Sequence, residues 1–539
     1  MTGTEDFLRC PVKAVGRLPI MKGEWKMRKQ SLIEVLCVCL TVGLFVQPAA
    51  AAPKDPIRVV IGLNSDARSL DPVLTMDATT IRVLRHLYDA LFFRDRDMKV
   101  IPELAESYKF DDNLTWLIRL RKGIKFHNGE PFNADAVKTT IDFVLNPENK
   151  AITRSLVDRI DRVEAVDDYT VKITTKEPFI TLPENLIEVF IAPPKLVKEK
   201  GMAHLASNPV GTGPYKLKSW AKDREIVLVK NESYFKGVPP IDEIVVRIIP
   251  EVGPRVSALV VGEVDLIPDV PPHLIQQING SRTAKVKGVP GRRVIFIALD
   301  NVNEGPMRDV RVRQAMNYGV NVDEIIRTVM EGYATRIPGP LIPINTGYDP
   351  TLKPYPYDPK KARELLKEAG YEKGLNLTLH SCQDRYLKDK EYAQAVASQL
   401  SKIGVNVQVK FYEWGNYLQH LRSRKLPNGK FGNVLSEFHL NGRSDRELEG
   451  GIMYAWFKSG ASWVAFSDPE IDKALDATLT IVNPEKRKEA LNKLQRQIQT
   501  AAPWIFLWEQ HDLYGVSDKL IWEPRADEQL YLFEATVKR

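Results

Sequence analysis

The chain has 539 residues, of which 44% are apolar and 27% are charged, so it can bury a large core and is long enough for two or more domains. Its formal net charge of +7 is mild for this length, and part of the basic excess lies in the first 52 residues. The remaining basic side chains are too few and too dispersed to indicate a nucleic acid partner.

Residues 1–52 have the pattern of an upstream segment followed by a cleavable signal peptide. A basic pair at 28–29 precedes an apolar run over 35–46, and small residues follow that run. The run is short for a membrane span, and the alanines after it match the small-residue cleavage pattern. We expect translation to begin at Met21 or Met27 and cleavage near Ala51 or Ala52.

The positions of the cysteines are also those expected of an exported protein. Cys10, Cys37 and Cys39 precede the expected cleavage point, which leaves Cys382 alone in the mature chain and excludes an internal disulfide there. No cysteine stands where a lipid-modified residue would become the new N-terminus. We therefore expect a soluble protein in the periplasm of a Gram-negative cell, without a lipid anchor or a membrane span.

Short β-branched runs alternate with helical patterns along the mature chain, which favours an α/β fold with ligand sites at the carboxyl ends of strands. The predicted strands cover 57–63, 170–175, 225–230, 243–249, 293–299, 375–380 and 406–411.

Three helices are predicted with specific boundaries. The stretch 79–93 places Ile81, Leu84, Leu87, Tyr88 and Leu91 on one face of a helix. A second helix starts at the Asp-Pro pair 358–359 and stops at 370, and a third stops at 404, because glycine ends both patterns.

Motifs for catalysis, metal binding and nucleotide binding are missing from the sequence. The glycine-rich stretch "NPVGTGPYKLKSW" (208–220) continues as a strand, so it reads as a turn and not as a phosphate cradle. The eight histidines show no metal-ligand spacing, and no G-x-S-x-G nucleophile motif occurs. We expect no enzyme activity, no cofactor and no metal.

Several motifs occur in an order that resembles the extracellular solute-binding proteins of family 5, the peptide- and nickel-binding components of ABC importers. They are "SLDPVLTMD", "PELAESY", "LRKGIKFHNGEPFNADAV", "NPVGTGPYKLKSW" and "MRDVRVRQAMNYGVNVDEII". They extend over nearly the whole mature chain. In the third motif we read His127-Asn128-Gly129 as a tight turn and Asn133 as the cap of the following helix.

This resemblance implies a two-lobed periplasmic binding protein fold, large and of the type II kind, with the ligand cleft between the lobes. The first lobe would combine 53–300 with 510–539 and carry an extra subdomain at about 77–207, and the second would span 301–509. The chain crossings would fall near 300–303 and 510–513. The protein would act as a monomer that docks on a membrane permease driven by a separate ATPase.

In peptide-binding members of the family, an acidic side chain pairs with the ligand's amino group and a basic one with its carboxylate. The segment that carries the acid resembles Trp-x-x-Asp-x-x-Asp-Pro in those members. Here it reads "EFHLNGRSDRELEG" (437–450), and Arg446 stands in place of the proline. A di- or oligopeptide is the expected ligand, and an opine, a sugar conjugate or a nickel chelate is the alternative. A hydrolase or a chaperone-like protein with the same fold is a less favoured alternative.

The candidate ligand-binding residues follow predicted strands or belong to this altered segment. They are Asn64, Ser65, Arg68, Gln383, Arg385, Tyr386, Trp414, His439, Asn441, Arg443 and Asp445.

Overall fold

The structure, a computed structural model, describes residues 55–74, 77–302, 305–383, 385–423, 437–444, 451–460 and 466–538. The expected signal peptide lies outside these residues. The strands are β1 Arg58–Leu63, β2 Phe92–Arg94, β3 Val100–Pro102, β4 Ala105–Asp111, β5 Thr115–Leu120, β6 Ile160–Asp167, β7 Thr170–Thr175, β8 Tyr215–Ala221, β9 Glu225–Lys230, β10 Glu243–Ile248, β11 Leu266–Ile267, β12 Ala284–Leu299, β13 Ala334–Arg336, β14 Leu375–Cys382, β15 Val405–Tyr412, β16 Glu437–Ser444, β17 Trp504–Ser517, β18 Leu520–Ile521 and β19 Thr536–Val537.

Each of the seven strands predicted from the sequence corresponds to an observed strand.

The α-helices are α1 Ala78–Leu87, α2 Ala134–Leu145, α3 Arg154–Val157, α4 Leu182–Asn185, α5 Pro194–Lys200, α6 Val252–Val260, α7 Ile275–Asn279, α8 Val310–Gly319, α9 Val322–Thr328, α10 Pro359–Glu368, α11 Asp389–Ser401, α12 Trp414–Ser423, α13 Gly451–Phe457, α14 Pro469–Thr480 and α15 Pro484–Ala501.

A mixed sheet of eleven strands forms the centre of the described chain, in the order β15-β14-β16-β12-β17-β11-β1-β10-β9-β8, with β13 also paired to β17. The long strands β12 and β17 run antiparallel and join the two halves of this sheet. One half packs the hydrophobic core around β1 and β10, and the other half packs a separate core around β14 and β15. Two cores on one continuous sheet give the fold its two-lobed architecture.

A second, antiparallel sheet has the strand order β4-β5-β7-β6. Helix α2 covers it and contributes Val137, Ile141 and Val144 to a core shared with Trp116 and Ile173. This layer lies within the range 77–207, where the sequence predicts an extra subdomain.

Two of the sequence motifs meet at the C-terminal end of α1. The turn predicted at 127–129 is confirmed, because Gly129 has φ +86° and its N–H donates to the carbonyl of Phe126 at 2.8 Å. The Nε2 atom of His127 donates to the carbonyl of Gly213 at 2.9 Å, and Nδ1 accepts from the N–H of Gly211 at 3.3 Å. The histidine therefore fastens the glycine stretch to the turn.

Close backbone approach explains the two glycines of this stretch better than turn geometry does. A Cβ atom on Gly211 would lie 2.1 Å from the carbonyl oxygen of Leu87, and one on Gly213 would lie 2.5 Å from the carbonyl carbon of the same residue. No side chain fits at that distance. After Pro214 the chain enters β8, as the sequence predicts.

The sequence predicts two helix starts correctly, but it places the end of one helix wrongly. Asn133 caps α2 and Asp358 caps α10, since each side-chain oxygen accepts a backbone N–H in the first turn. The predicted helix over 79–93 is wrong at its end, because α1 stops at Leu87 and Phe92 and Phe93 belong to β2. The extended chain after Leu87 accommodates the glycine stretch. No helix in the described residues is long and apolar enough to cross a membrane.

Candidate functional site

A cavity of about 990 Å³ lies where the loop after β1, the loop after β14 and the middle of β17 come together. The first loop belongs to one half of the main sheet and the second to the other half. Strand carboxyl ends are the usual place for ligand sites in open α/β sheets. The cavity is therefore the candidate ligand site.

The loop after β1 is held by the carboxylate of Asp66. This group accepts the indole N–H of Trp220 at 3.0 Å and the backbone N–H of Asp223 at 2.8 Å, both near the end of β8. The backbone N–H of Arg68 donates to the hydroxyl of Thr80 on α1 at 3.0 Å. These bonds fix the loop backbone.

The loop after β14 is held by Asp389 in the first turn of α11. Its Oδ2 atom accepts the backbone N–H groups of Arg385 at 2.9 Å and Tyr386 at 3.0 Å. The guanidinium of Arg385 lies 5.0 Å from the ring centre of Trp414, a cation–π contact. Arg385 is exposed to solvent and lines the cavity, so this loop presents a positioned cation to the cavity.

The β12 and β17 side of the cavity contains a cluster of charged residues. Nη1 of Arg82 lies 3.2 Å from Oδ2 of Asp269, and Nη2 of Arg293 lies 3.3 Å from Oε1 of Glu528. Asp512 is the fifth member and is only 9% exposed. Burial, with the negative charge of Glu528, raises the pKa of Asp512 well above its usual value. For Asp269, burial is the largest single effect and acts in the same direction. The charges of Arg82, Arg293 and Arg255, with the hydrogen bond from Arg82, together outweigh burial and lower the pKa.

Five of the predicted site residues line this cavity together: Asn64, Ser65, Arg68, Arg385 and Tyr386. The rule that ligands sit at strand carboxyl ends therefore selected two loops that the fold brings to one place.

The other predicted site residues are placed elsewhere or lie outside the described residues. The backbone N–H of Gln383 donates to the carbonyl of Tyr412 at 2.9 Å and extends the pairing of β14 with β15. Trp414 packs against Tyr386 of the loop after β14, with ring centres 6.2 Å apart. It contacts the loop and is not among the residues that line the cavity. His439, Asn441 and Arg443 lie on β16, paired with Ala298, Phe296 and Val294 of β12, and Asp445 is outside the described residues.

Sequence reasoning missed the charged cluster itself. Asp512 stands in the strand "WIFLWEQHDLYGVS", and Arg293 follows "VPGR" at the start of a predicted strand. An available signal was the presence of charged side chains inside otherwise apolar strands, since buried charges need partners and mark special sites. Which charges face each other depends on how α1, β12, β17 and the segments after β11 and β18 pack together, and a single sequence does not give that packing.

The fold and its cavity define a two-lobed solute-binding protein, and comparison with known proteins agrees. Residues 99–438 match the model of the bacterial extracellular solute-binding proteins, family 5. The glutathione-binding protein GsiB of Pectobacterium atrosepticum is 34% identical over 505 residues, covering 92% of this chain and 96% of that protein. The chain belongs to the bacterial extracellular solute-binding proteins of family 5.

Solved structures show the same fold. The periplasmic binding protein DppA from Helicobacter pylori, in complex with the peptide STSA, matches with a TM-score of 0.74 at 25% identity, covering 90% of this chain and 99% of that one. The substrate-binding protein CtaP from Listeria monocytogenes matches with a TM-score of 0.81 at 22% identity, covering 90% of this chain and all of that one. These relatives are binding proteins of transport systems.

Proposed function

We propose that this chain is the exported receptor of an ABC importer and that it binds short peptides, glutathione among them. The observation that carries the proposal is the cavity, which presents the cation of Arg385 from one loop and the carboxylate of Asp512 from β17. A peptide zwitterion carries a group of the opposite charge for each. Charge-assisted hydrogen bonds of this kind contribute about 1.5–3 kcal/mol each.

The relatives support a peptide as the ligand. GsiB carries glutathione in its name and aligns over nearly the full length of both chains. DppA was solved with a bound tetrapeptide. Glutathione is itself a modified tripeptide with one ammonium group and two carboxylates. The relatives do not favour the opine, sugar-conjugate and nickel-chelate alternatives.

The proposed mechanism is capture without covalent chemistry. The first lobe combines 53–300 with 510–539, and the second spans 301–509, so a ligand in the cavity contacts both. Such a ligand stabilises the closed arrangement by contacts that the open one lacks. The closed monomer then docks on a permease that a separate ATPase drives. We also propose that the signal peptide, which starts at Met21 or Met27, is cleaved near Ala51 or Ala52 and that the mature protein is periplasmic.

Isothermal titration calorimetry on ligand-free protein tests this function. Reduced glutathione, dialanine and trialanine are titrated, with an opine, a sugar conjugate and the nickel–histidine complex as the non-peptide set. We expect saturable binding of one molecule per chain for at least one peptide. Recovery of that peptide unchanged after denaturation of the complex distinguishes a receptor from a hydrolase. Binding confined to the non-peptide set would contradict the proposal.

A further inference from the structure

The head group of Arg385 is held by aromatic rings and not by polar partners. The backbone of this residue is fixed, since its N–H donates to Oδ2 of Asp389 at 2.9 Å. Within the described residues, its guanidinium makes neither a hydrogen bond nor an ion pair, and its contacts are with two rings. A long side chain with a free head group has many rotamers, and binding a ligand would restrict them at a cost in affinity. The two rings therefore decide where the cation lies.

Trp414 and Tyr386 enclose the guanidinium on two sides. The Cζ atom of Arg385 lies 5.0 Å from the ring centre of Trp414 and 5.4 Å from that of Tyr386, both within the range of a cation–π contact. The two ring planes are inclined at 72°, and their centres are 6.2 Å apart. The rings thus form an aromatic corner around the cation.

Both walls of the aromatic corner are fixed by other contacts. Tyr386 is only 6% exposed, and its backbone N–H donates to Oδ2 of Asp389 at 3.0 Å. Trp414 is the first residue of α12, and its ring packs against the fully buried ring of Tyr417, with centres 6.1 Å apart. A corner with rigid walls holds the cation before any ligand arrives, which reduces the entropy lost on binding.

Stacking on a ring uses the flat face of a guanidinium and leaves the N–H groups on its edge, where a carboxylate binds in a bidentate manner. We propose that Trp414 is a positioning residue, which holds Arg385 in the aromatic corner so that its edge can bind a carboxylate of the ligand. This inference rests on the proposed function. Trp414 is not among the residues that line the cavity, so it acts through Arg385. That role differs from the direct ligand contact that the sequence predicts for Trp414.

The test is a double-mutant cycle measured with two ligands. Wild type, Trp414→Leu, Arg385→Ala and the double variant are titrated calorimetrically with trialanine and with trialanine amide. Leucine keeps apolar bulk at 414 but lacks a ring, and Trp414→Phe keeps a flat ring there. Circular dichroism and the melting temperature confirm that each variant is folded.

Tyr169→Ala is the matched control. Tyr169 is half-buried like Trp414, and its ring also contacts a cation, since Nζ of Lys122 lies 5.5 Å from the ring centre. Neither residue of that pair lines the cavity. This variant should match wild type with both ligands, because its cation–π contact is remote from the site.

Trp414→Leu is expected to weaken binding of trialanine about fivefold and binding of trialanine amide less than about twofold, because the amide offers no carboxylate. Trp414→Phe should stay within about twofold of wild type for both ligands. In the Arg385→Ala background, Trp414→Leu should have less than about a twofold further effect, because no guanidinium is left to position.

Equal losses for both ligands in Trp414→Leu would show that the ring only stabilises the loop, and would overturn the proposal. Losses that multiply in the double variant would also overturn it, because Trp414 would then act on the ligand independently of Arg385. So would an unchanged affinity of Trp414→Leu for trialanine beside a loss in Arg385→Ala, a result that leaves the proposed function intact. Failure of wild type to bind any peptide would instead refute the proposed function, and this inference with it.

Discussion

Gly291 and Asp512 face each other across the two long strands so closely that any side chain at 291 displaces the carboxylate of 512. A Cβ atom there would lie 2.4 Å from Oδ2 and 2.7 Å from Cγ of Asp512. The absence of a side chain at one position thus sets the orientation of an acid on the neighbouring strand. This relationship gives the first prediction.

Gly291→Ala should weaken binding of trialanine about tenfold, because the carboxylate can no longer hold its position toward the ligand's ammonium group. Calorimetry gives the affinity, and chemical denaturation gives the free energy of unfolding. Gly288→Ala is the matched control on the same strand, since its Cβ would crowd the end of the Leu513 side chain, at 2.8 Å, and would reach Asp512 only at its backbone oxygen, 3.8 Å away. The control should lose stability but keep its affinity, and an equal loss of affinity in both variants would contradict this account.

The second prediction concerns the pH dependence of stability. Burial and Glu528 raise the pKa of Asp512 in the folded protein, although Arg293 and Arg82 oppose the shift. The folded chain therefore holds this proton over a range in which the unfolded chain has lost it. The associated stability is present below the ordinary aspartate pKa and is lost as the pH rises toward the folded pKa.

Asp512→Asn removes this titration. In the ligand-free protein, the free energy of unfolding of the variant relative to wild type should therefore increase as the pH rises from about 4 upward. Urea denaturation at several pH values measures the difference, and other titrating groups cancel between the two proteins. A difference that stays constant with pH would show that Asp512 has an ordinary pKa.

Arg385 is predicted to bind the ligand's terminal carboxylate. Arg385→Ala should weaken binding of trialanine about tenfold or more and leave trialanine amide nearly unchanged, because the amide lacks the negative charge. Arg327→Ala on α9 is a suitable control, since Arg327 is exposed and does not line the cavity. If both ligands weaken equally, Arg385 supports the loop and does not recognise the carboxylate.

The glycine stretch at 208–220 gives a prediction about folding. Gly213→Ala should lower the free energy of unfolding by about 1–3 kcal/mol or more, because its Cβ would lie 2.5 Å from backbone atoms of Leu87 that cannot move aside independently. Gly253→Ala is the contrasting variant. It lies in the first turn of α6, directly before Pro254, and nothing beyond its chain neighbours lies within 4 Å of the new Cβ, so it should change the free energy of unfolding by less than about 1 kcal/mol. Equal stabilities for the two variants would contradict the close-packing explanation.

Local signals in the sequence predicted the parts of the fold that depend on neighbouring residues. The caps Asn133 and Asp358 are examples, because a capping side chain and its N–H partner are close in sequence. The loops after β1 and β14 were also predicted, because strand ends can be located from local pattern. The roles of Gly213 and Asp512 were not, since each is set by a partner distant in the chain, Leu87 in one case and Gly291 of β12 in the other.

Native mass spectrometry of the mature protein, purified without denaturation, identifies the ligand that the chain carries. We expect the chain to release short peptides or glutathione on activation in the gas phase, with one ligand per chain. Release of non-peptide species alone, together with no rise in melting temperature on adding glutathione, dialanine or trialanine, would contradict it.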